Sequence, residues 1–174
     1  TSAAPTYFEA VAADDSPDPY AYVDGGVFAN NPAMCAYVEA YKKLEGRPTA
    51  PNMVMVSLGT GHIRRAFSHD EIKNWGLVQW IRPLIDVLMG GAAETVDYQM
   101  RQLFTAYESP ERYLRIQTQI NPDDKELMAL DNVSSENLHR LVDLGKILAN
   151  QYDEQLNLIA DYLVFGKAST ESRL

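Results

Sequence analysis

Asp24 stands behind a short apolar run and ahead of two glycines in "YVDGGVFANNPA", residues 22–33. A carboxylate at a strand's end can serve as general base toward a hydroxyl if burial and hydrogen bonds fix its geometry and tune its pKa. Gly25 and Gly26 leave room for positive φ angles and for close approach of a backbone or a substrate. A simpler reading is an Asp-Gly turn, with an asparagine of the Asn30-Asn31 pair capping a helix that has Pro32 in its first turn. The residue types alone leave both readings open.

Other residues offer less. "SLGTG", residues 57–61, places glycines after an apolar strand, where backbone N–H groups can cradle an anion. It matches neither the phosphate-binding loop that ends in Gly-Lys-Ser/Thr nor the dinucleotide fingerprint, so a plain strand exit is the simpler reading. Ser57 lacks the flanking glycines of a Gly-x-Ser-x-Gly elbow, and no serine of the chain has them. His62, His69 and His139 show no metal-ligand spacing, so no metal or cofactor is implied. Cys35, the single cysteine, sits among Met34 and Ala36 and reads as small core filler. Thr1 could act as an N-terminal nucleophile, but no strand pattern follows it and Pro5 interrupts any regular element.

The elements that must position these residues follow from periodicity. Residues 20–23 read as a strand running into Asp24, and the helix after Pro32 reaches about Leu44, with Gly46 as its left-handed stop. Residues 52–61 form a near-continuous apolar run, expected as a strand covered on both faces in the middle of a parallel sheet. Strand, helix, strand in that order makes a right-handed crossover the default. Trp75 to Met89 is apolar and interrupted at Arg82-Pro83, and Ala92 to Phe104 puts Ala92, Ala93, Val96, Met100, Leu103 and Phe104 on one helical face. Trp75, Leu77, Trp80, Ile81 and Leu84 could make an apolar ledge against lipid, although buried core is the simpler reading.

Residues 114–120 alternate as a strand with one wet face. Ser134 is the expected N-cap of a helical region to about Phe165, with room for one break and an apolar stripe that includes Leu138, Leu141, Val142 and Leu163. The fold class is α/β with a helical C-terminus.

Composition narrows the partners. The chain has 174 residues, 46% of them hydrophobic, enough for one domain with a real core. A net charge of −9 disfavours nucleic acid and gives no attraction to anionic membranes. No stretch of about 18 uninterrupted apolar residues could span a bilayer. The expected location is cytoplasmic with peripheral membrane contact; a leader ahead of Thr1 stays open.

Four blocks in order, "TSAAPTYF" at 1–8, "YVDGGVFANNPA" at 22–33, "VSLGTG" at 56–61 and "LDNVSSENL" at 130–138, give the chain its likeness. Together they resemble the second half of a patatin-like phospholipase domain of the bacterial type. That resemblance implies a three-layer α/β/α, lysophospholipase-like fold, of which this chain is the C-terminal portion: about 1–61 around the aspartate motif and about 62–174 mainly helical. It implies hydrolysis of phospholipid or other acyl-ester lipids by a Ser-Asp dyad, at a membrane surface visited transiently. Asp24, first in the Asp-Gly-Gly/Ala motif, would be the base, supported by Gly25, Gly26, Asn30 and Asn31. The family's glycine-rich oxyanion motif and its serine elbow precede these blocks. The chain is thus expected to hold the base, to depend on an N-terminal half for the nucleophile, and to be inactive alone. A non-catalytic interaction or scaffold domain with the same fold is the alternative.

Overall fold

The computed structural model describes residues 4–5, 7–12, 17, 20–63, 66–129 and 131–165; Thr1, Leu130 and most of the 13–19 loop lie outside them. The chain divides into two compact units, one of residues 1–52 and 67–110, the other of 53–66 and 111–174.

In the first unit, β1 (Val11–Ala12) pairs antiparallel with β2 (Ala21–Tyr22), Val11 opposite Tyr22. Four helices follow: α1 (Gly26–Ala29), α2 (Ala33–Lys43), α3 (His69–Ile72) and α4 (Leu77–Ala106). α2 presents Ala33, Tyr37 and Ala40 on one face, and the Tyr37 ring meets Phe104 of α4 edge-on at 6.1 Å. Lys42 and Lys43 complement the dipole at its C-terminal end, and the chain then turns through Gly46 at φ +80, as its sequence position implies. Met100 and Phe104, fully buried, and Ala50 of the turn at 50–52 make the core of this unit. Cys35 lies on the side of α2 opposite Tyr37 and is exposed, so it is not the core filler its apolar neighbours suggest.

Helix α4 runs unbroken through Pro83, where an interruption was expected. Pro83 sits in the second turn, so it removes a single bond near the helix start, while more than twenty further residues continue the ladder. The Gln79 side chain reaches back to the Gly76 N–H at 3.1 Å and closes the entry. Trp75 packs edge-to-face against Phe67 and Trp80 at 5.1 and 5.2 Å. Beyond that trio the apolar residues are open: Leu77 is 82% and Val78 78% exposed, with Ile81, Leu84, Ile85 and Leu88 also exposed. Leu77, Ile81 and Leu84 are therefore not the buried core of the simpler reading, whereas Trp75 and Trp80 are half-buried in the trio.

In the second unit, β3 (Met55–Leu58) pairs parallel with β5 (Tyr113–Ile116), and β4 (His62–Ile63) parallel with β6 (Gln119–Ile120). The Gly59 N–H donates to the Ile116 carbonyl and the His62 N–H to the Thr118 carbonyl, so residues 114–120 form one pairing edge in two pieces. Ile116 and Ile120 face inward and Gln119 outward, matching the expected alternation. β3 is not a strand covered on both faces, since Leu58 is 71% exposed. Nor do β2 and β3 share a sheet: each belongs to a different two-stranded pair, so the expected crossover through α2 is not formed among the described residues.

Helices α5 (Lys125–Met128), α6 (Ser135–Gln151) and α7 (Asp153–Phe165) complete this unit, with the break at Tyr152. Ser134 caps α6 by accepting from the Asn137 N–H at 3.3 Å. The Asn137 amide donates to the Asn132 carbonyl, the Asn132 amide to Glu126, and Arg140 to Asp124, the N-cap of α5. The "LDNVSSENL" block thus ties the α5–α6 turn together. Arg112 lies over the Tyr162 ring at 5.7 Å. Leu138, Leu141, Val142 and Leu163 of the predicted stripe remain exposed, whereas Leu148, Leu156 and Ile159 are half-buried.

Candidate functional site

Asp24 follows β2 by two residues, is half-buried, and stands immediately before α1. Its Oδ1 accepts the Gly26 N–H at 2.6 Å, and its main-chain carbonyl accepts the Val27 N–H at 3.1 Å. The Asp24 Oδ2 carries no hydrogen bond among the described residues. One oxygen of the carboxylate is therefore pinned to the backbone, and the other is available to accept a proton.

The glycines serve this arrangement through space and not through φ. Gly25 lies in the right-handed region at φ −61, and the positive-φ glycines among the described residues are Gly46 and Gly61. A Cβ on Gly26 would come 2.9 Å from Asp24 Oδ1, closer than ordinary packing tolerates. The expectation of a left-handed turn is thereby corrected: the second glycine makes room for the carboxylate.

Downstream, Asn30 is exposed and ends α1, with its Oδ1 near Gly26. Asn31 is 2% exposed. Its Oδ1 accepts the Ala33 N–H at 3.3 Å, and its Nδ2 donates to the Ala93 carbonyl of α4 at 3.1 Å. Pro32 follows directly at the N-cap position of α2. Val27 and Phe28 of α1 project outward, Phe28 being 89% exposed. Ala93 could not have been named from sequence, because a main-chain carbonyl leaves no mark in residue type.

The Gly59 and Gly61 amides of the "SLGTG" loop are already taken by acceptors of the chain. Gly59 donates to the Ile116 carbonyl at the end of β5, His62 to the Thr118 carbonyl two residues beyond it, and Gly61 to Gln117 Oε1 at 2.8 Å. Ser57 is buried and accepts from Arg115 at 2.8 Å. This is the strand exit that the simpler reading describes. His62 Nδ1 lies 3.1 Å from the Thr118 carbonyl and His139 Nδ1 2.6 Å from the Ser135 carbonyl, while His69 is exposed beside Asp70. Among the described residues no group of three or more His, Cys, Asp or Glu is placed to hold a metal. No helix of the described residues is long and apolar enough to cross a membrane.

Comparison with known proteins places these residues in a wider set. No family model matches the chain. It is 32% identical over 179 residues to Patatin-like protein 2 of Arabidopsis thaliana, and 30% identical over 181 residues to Patatin-like protein 1 of Oryza sativa subsp. indica. A third relative, from Solanum tuberosum, carries the name Probable inactive patatin-3-Kuras 1 and is 29% identical over 164 residues. The first two matches cover 91% of this chain, but it spans only 44% and 43% of those relatives' length. The potato match covers 85% of the chain and 43% of that protein.

Proposed function

The chain is a homologue of patatin-like proteins over nine-tenths of its length, and from that premise we propose that it supplies Asp24 as the general base of a lipid acyl hydrolase. The observation that carries this reading is the Asp24 carboxylate itself, half-buried at the end of β2 with Oδ1 held by the Gly26 N–H at 2.6 Å. In the proposed reaction, Oδ2 takes the proton of a serine hydroxyl contributed from outside this chain. The serine oxygen bonds to the ester carbonyl carbon, the carbon–alcohol bond breaks, and the alcohol leaves with the proton from Asp24. Water, deprotonated by the same carboxylate, then bonds to the acyl carbon, the serine–acyl bond breaks, Asp24 returns the proton to the serine oxygen, and the fatty acid leaves. An oxyanion hole, also contributed from elsewhere, would supply roughly two to three orders of magnitude in rate. No cofactor enters this scheme.

The finer fold reading belongs to the same proposal: a C-terminal portion of one three-layer α/β/α domain, completed by an N-terminal half. Homology to these relatives supports the family. Substrates would be phospholipids or other acyl-ester lipids reached at a membrane surface, with peripheral attachment. One observation favours the non-catalytic alternative, namely that a relative of comparable identity is named as probably inactive.

The test is hydrolysis of short p-nitrophenyl esters and of lysophospholipid by the full-length native protein. Asp24→Asn is expected to lower kcat by about two orders of magnitude or more. Wild-type activity that survives this substitution removes Asp24 from the mechanism, and an inert wild type favours the scaffold.

A further inference from the structure

We propose that Asn31 is a positioning residue: by tying the end of the Asp24 turn to helix α4, it sets the geometry of the Asp24 carboxylate. The inference rests on the reading of Asp24 as base. Its starting point is what the turn lacks. β2 is exposed at both residues, and α1 is a single turn with no buried residue. α1 lies against α4, but neither β2 nor α1 buries a residue fully, so packing alone fixes them weakly. The Asp24–Gly26 bond is local and moves with the turn. The first fully buried side chain after Asp24 is Asn31, at 2% exposure.

Two hydrogen bonds of the Asn31 side chain differ in kind. Its Oδ1 accepts the Ala33 N–H across the Pro32 N-cap, a local bond ahead of α2 that Asp or Ser would make as well. Its Nδ2, donating to the Ala93 carbonyl at 3.1 Å, reaches a residue 62 positions away. The local turn has no use for that bond. The Ala93 carbonyl lies inside α4, and a carbonyl has a second lone pair to offer. The same helix carries Met100 and Phe104, the buried anchors of the unit. The Asn31 amide therefore joins a turn with no core of its own to the best-buried helix in its unit. An error of about 1 Å in a catalytic group is enough to lower a rate by about a hundredfold, so such a tie acts on kcat.

The test uses the full-length native protein with Asn31→Asp. The variant keeps the acceptor for the Ala33 N–H. Once ionised it has no proton to donate and sets a carboxylate against the Ala93 carbonyl. Burial and that carbonyl both disfavour the charged form, so the introduced acid has a raised pKa, and below it the neutral carboxyl regains a donor. At about pH 8 the expected result is a kcat lowered about tenfold with KM within about twofold; the ratio to wild type should recover toward about pH 6. Asn31→Ser, too short to span both partners, should show the kcat loss without the recovery. A kcat equal to wild type at the higher pH, or a joint fall of kcat, KM and thermal stability that ignores pH, overturns the proposal. An independent readout is the NMR shift of the Gly26 amide, which should move away from its wild-type value in ionised Asn31→Asp as the turn shifts and return toward it at about pH 6. An unchanged Gly26 amide likewise overturns it. If the wild type hydrolyses no ester, the catalytic reading fails, while the Gly26 amide still decides the positioning role.

Discussion

The Gly26 amide holds Asp24 Oδ1 at 2.6 Å, and a methyl group on Gly26 would stand 2.9 Å from that same oxygen. Donor and clearance come from one residue, so side-chain size at this position controls the carboxylate directly. Alanine can be met by a shift of a few tenths of an ångström in the Asp24 side chain. A branched residue cannot. Gly26→Ala is expected to lower kcat only a few-fold, and Gly26→Val by about tenfold or more, with little change in KM. Steady-state kinetics on a p-nitrophenyl ester check this; equal activity of the two variants would separate Gly26 from the base.

Ser57 is a serine after an apolar strand, but its hydroxyl accepts from Arg115 inside the second unit. Ser57→Ala should leave ester hydrolysis within about twofold of wild type and lower stability by about 1 kcal/mol, because Arg115 loses an acceptor. Urea denaturation measures the second effect. A loss of turnover without a loss of stability would reopen Ser57 as a nucleophile.

Glycines at two places in the fold should respond in opposite directions. Gly61 sits at φ +108, and a Cβ there would lie 2.4 Å from Ile120 Cδ1, so Gly61→Ala is expected to destabilise by about 2 kcal/mol or more. Gly91 lies exposed within α4 with nothing within 4 Å of a built Cβ. Gly91→Ala should stabilise by about 0.5–1 kcal/mol, since alanine gives up less backbone freedom in a helix. Denaturant midpoints of the two variants should move apart.

The hydrogen bonds from Arg140, and then the Leu127 amide, hold the Asp124 carboxyl below the usual carboxylate range. A group depressed in the folded state adds stability above its unfolded pKa, near 4, and loses it as pH falls through the folded value. Asp124→Asn should therefore unfold at lower urea than wild type at neutral pH, and the gap should close below about pH 4. A gap that persists unchanged into acid would assign the effect to lost packing and not to charge.

Local signals in the sequence translated well into structure where a single residue decides the backbone. Gly46 ends α2 with a positive φ, Ser134 caps α6, and Asp24 precedes a helical turn. Signals that need a distant partner translated poorly. The alternation of residues 114–120 announces a strand but cannot say that β5 pairs with β3 while β6 pairs with β4. The apolar residues after Leu77 show that a face is apolar, and carry no information on what covers it. Cys35 looked buried because its neighbours are apolar, yet helical phase, and not neighbourhood, sets exposure. In the candidate site, Asp24 was visible as a residue type, while the Ala93 carbonyl that holds Asn31 was not.

Pro83 has no N–H to return to the Gln79 carbonyl, so the ladder of α4 misses a rung in its second turn. Ahead of that gap the helix is short and exposed; behind it lie Ala93, Met100 and Phe104. Amide hydrogens before residue 83 should thus exchange with solvent through local fraying, and those beyond residue 93 only through opening of the whole unit. The helix consists of a loose handle and a fixed shaft. A contact that grips the handle can bend or melt it while the shaft keeps the Ala93 carbonyl, and with it Asn31, in register.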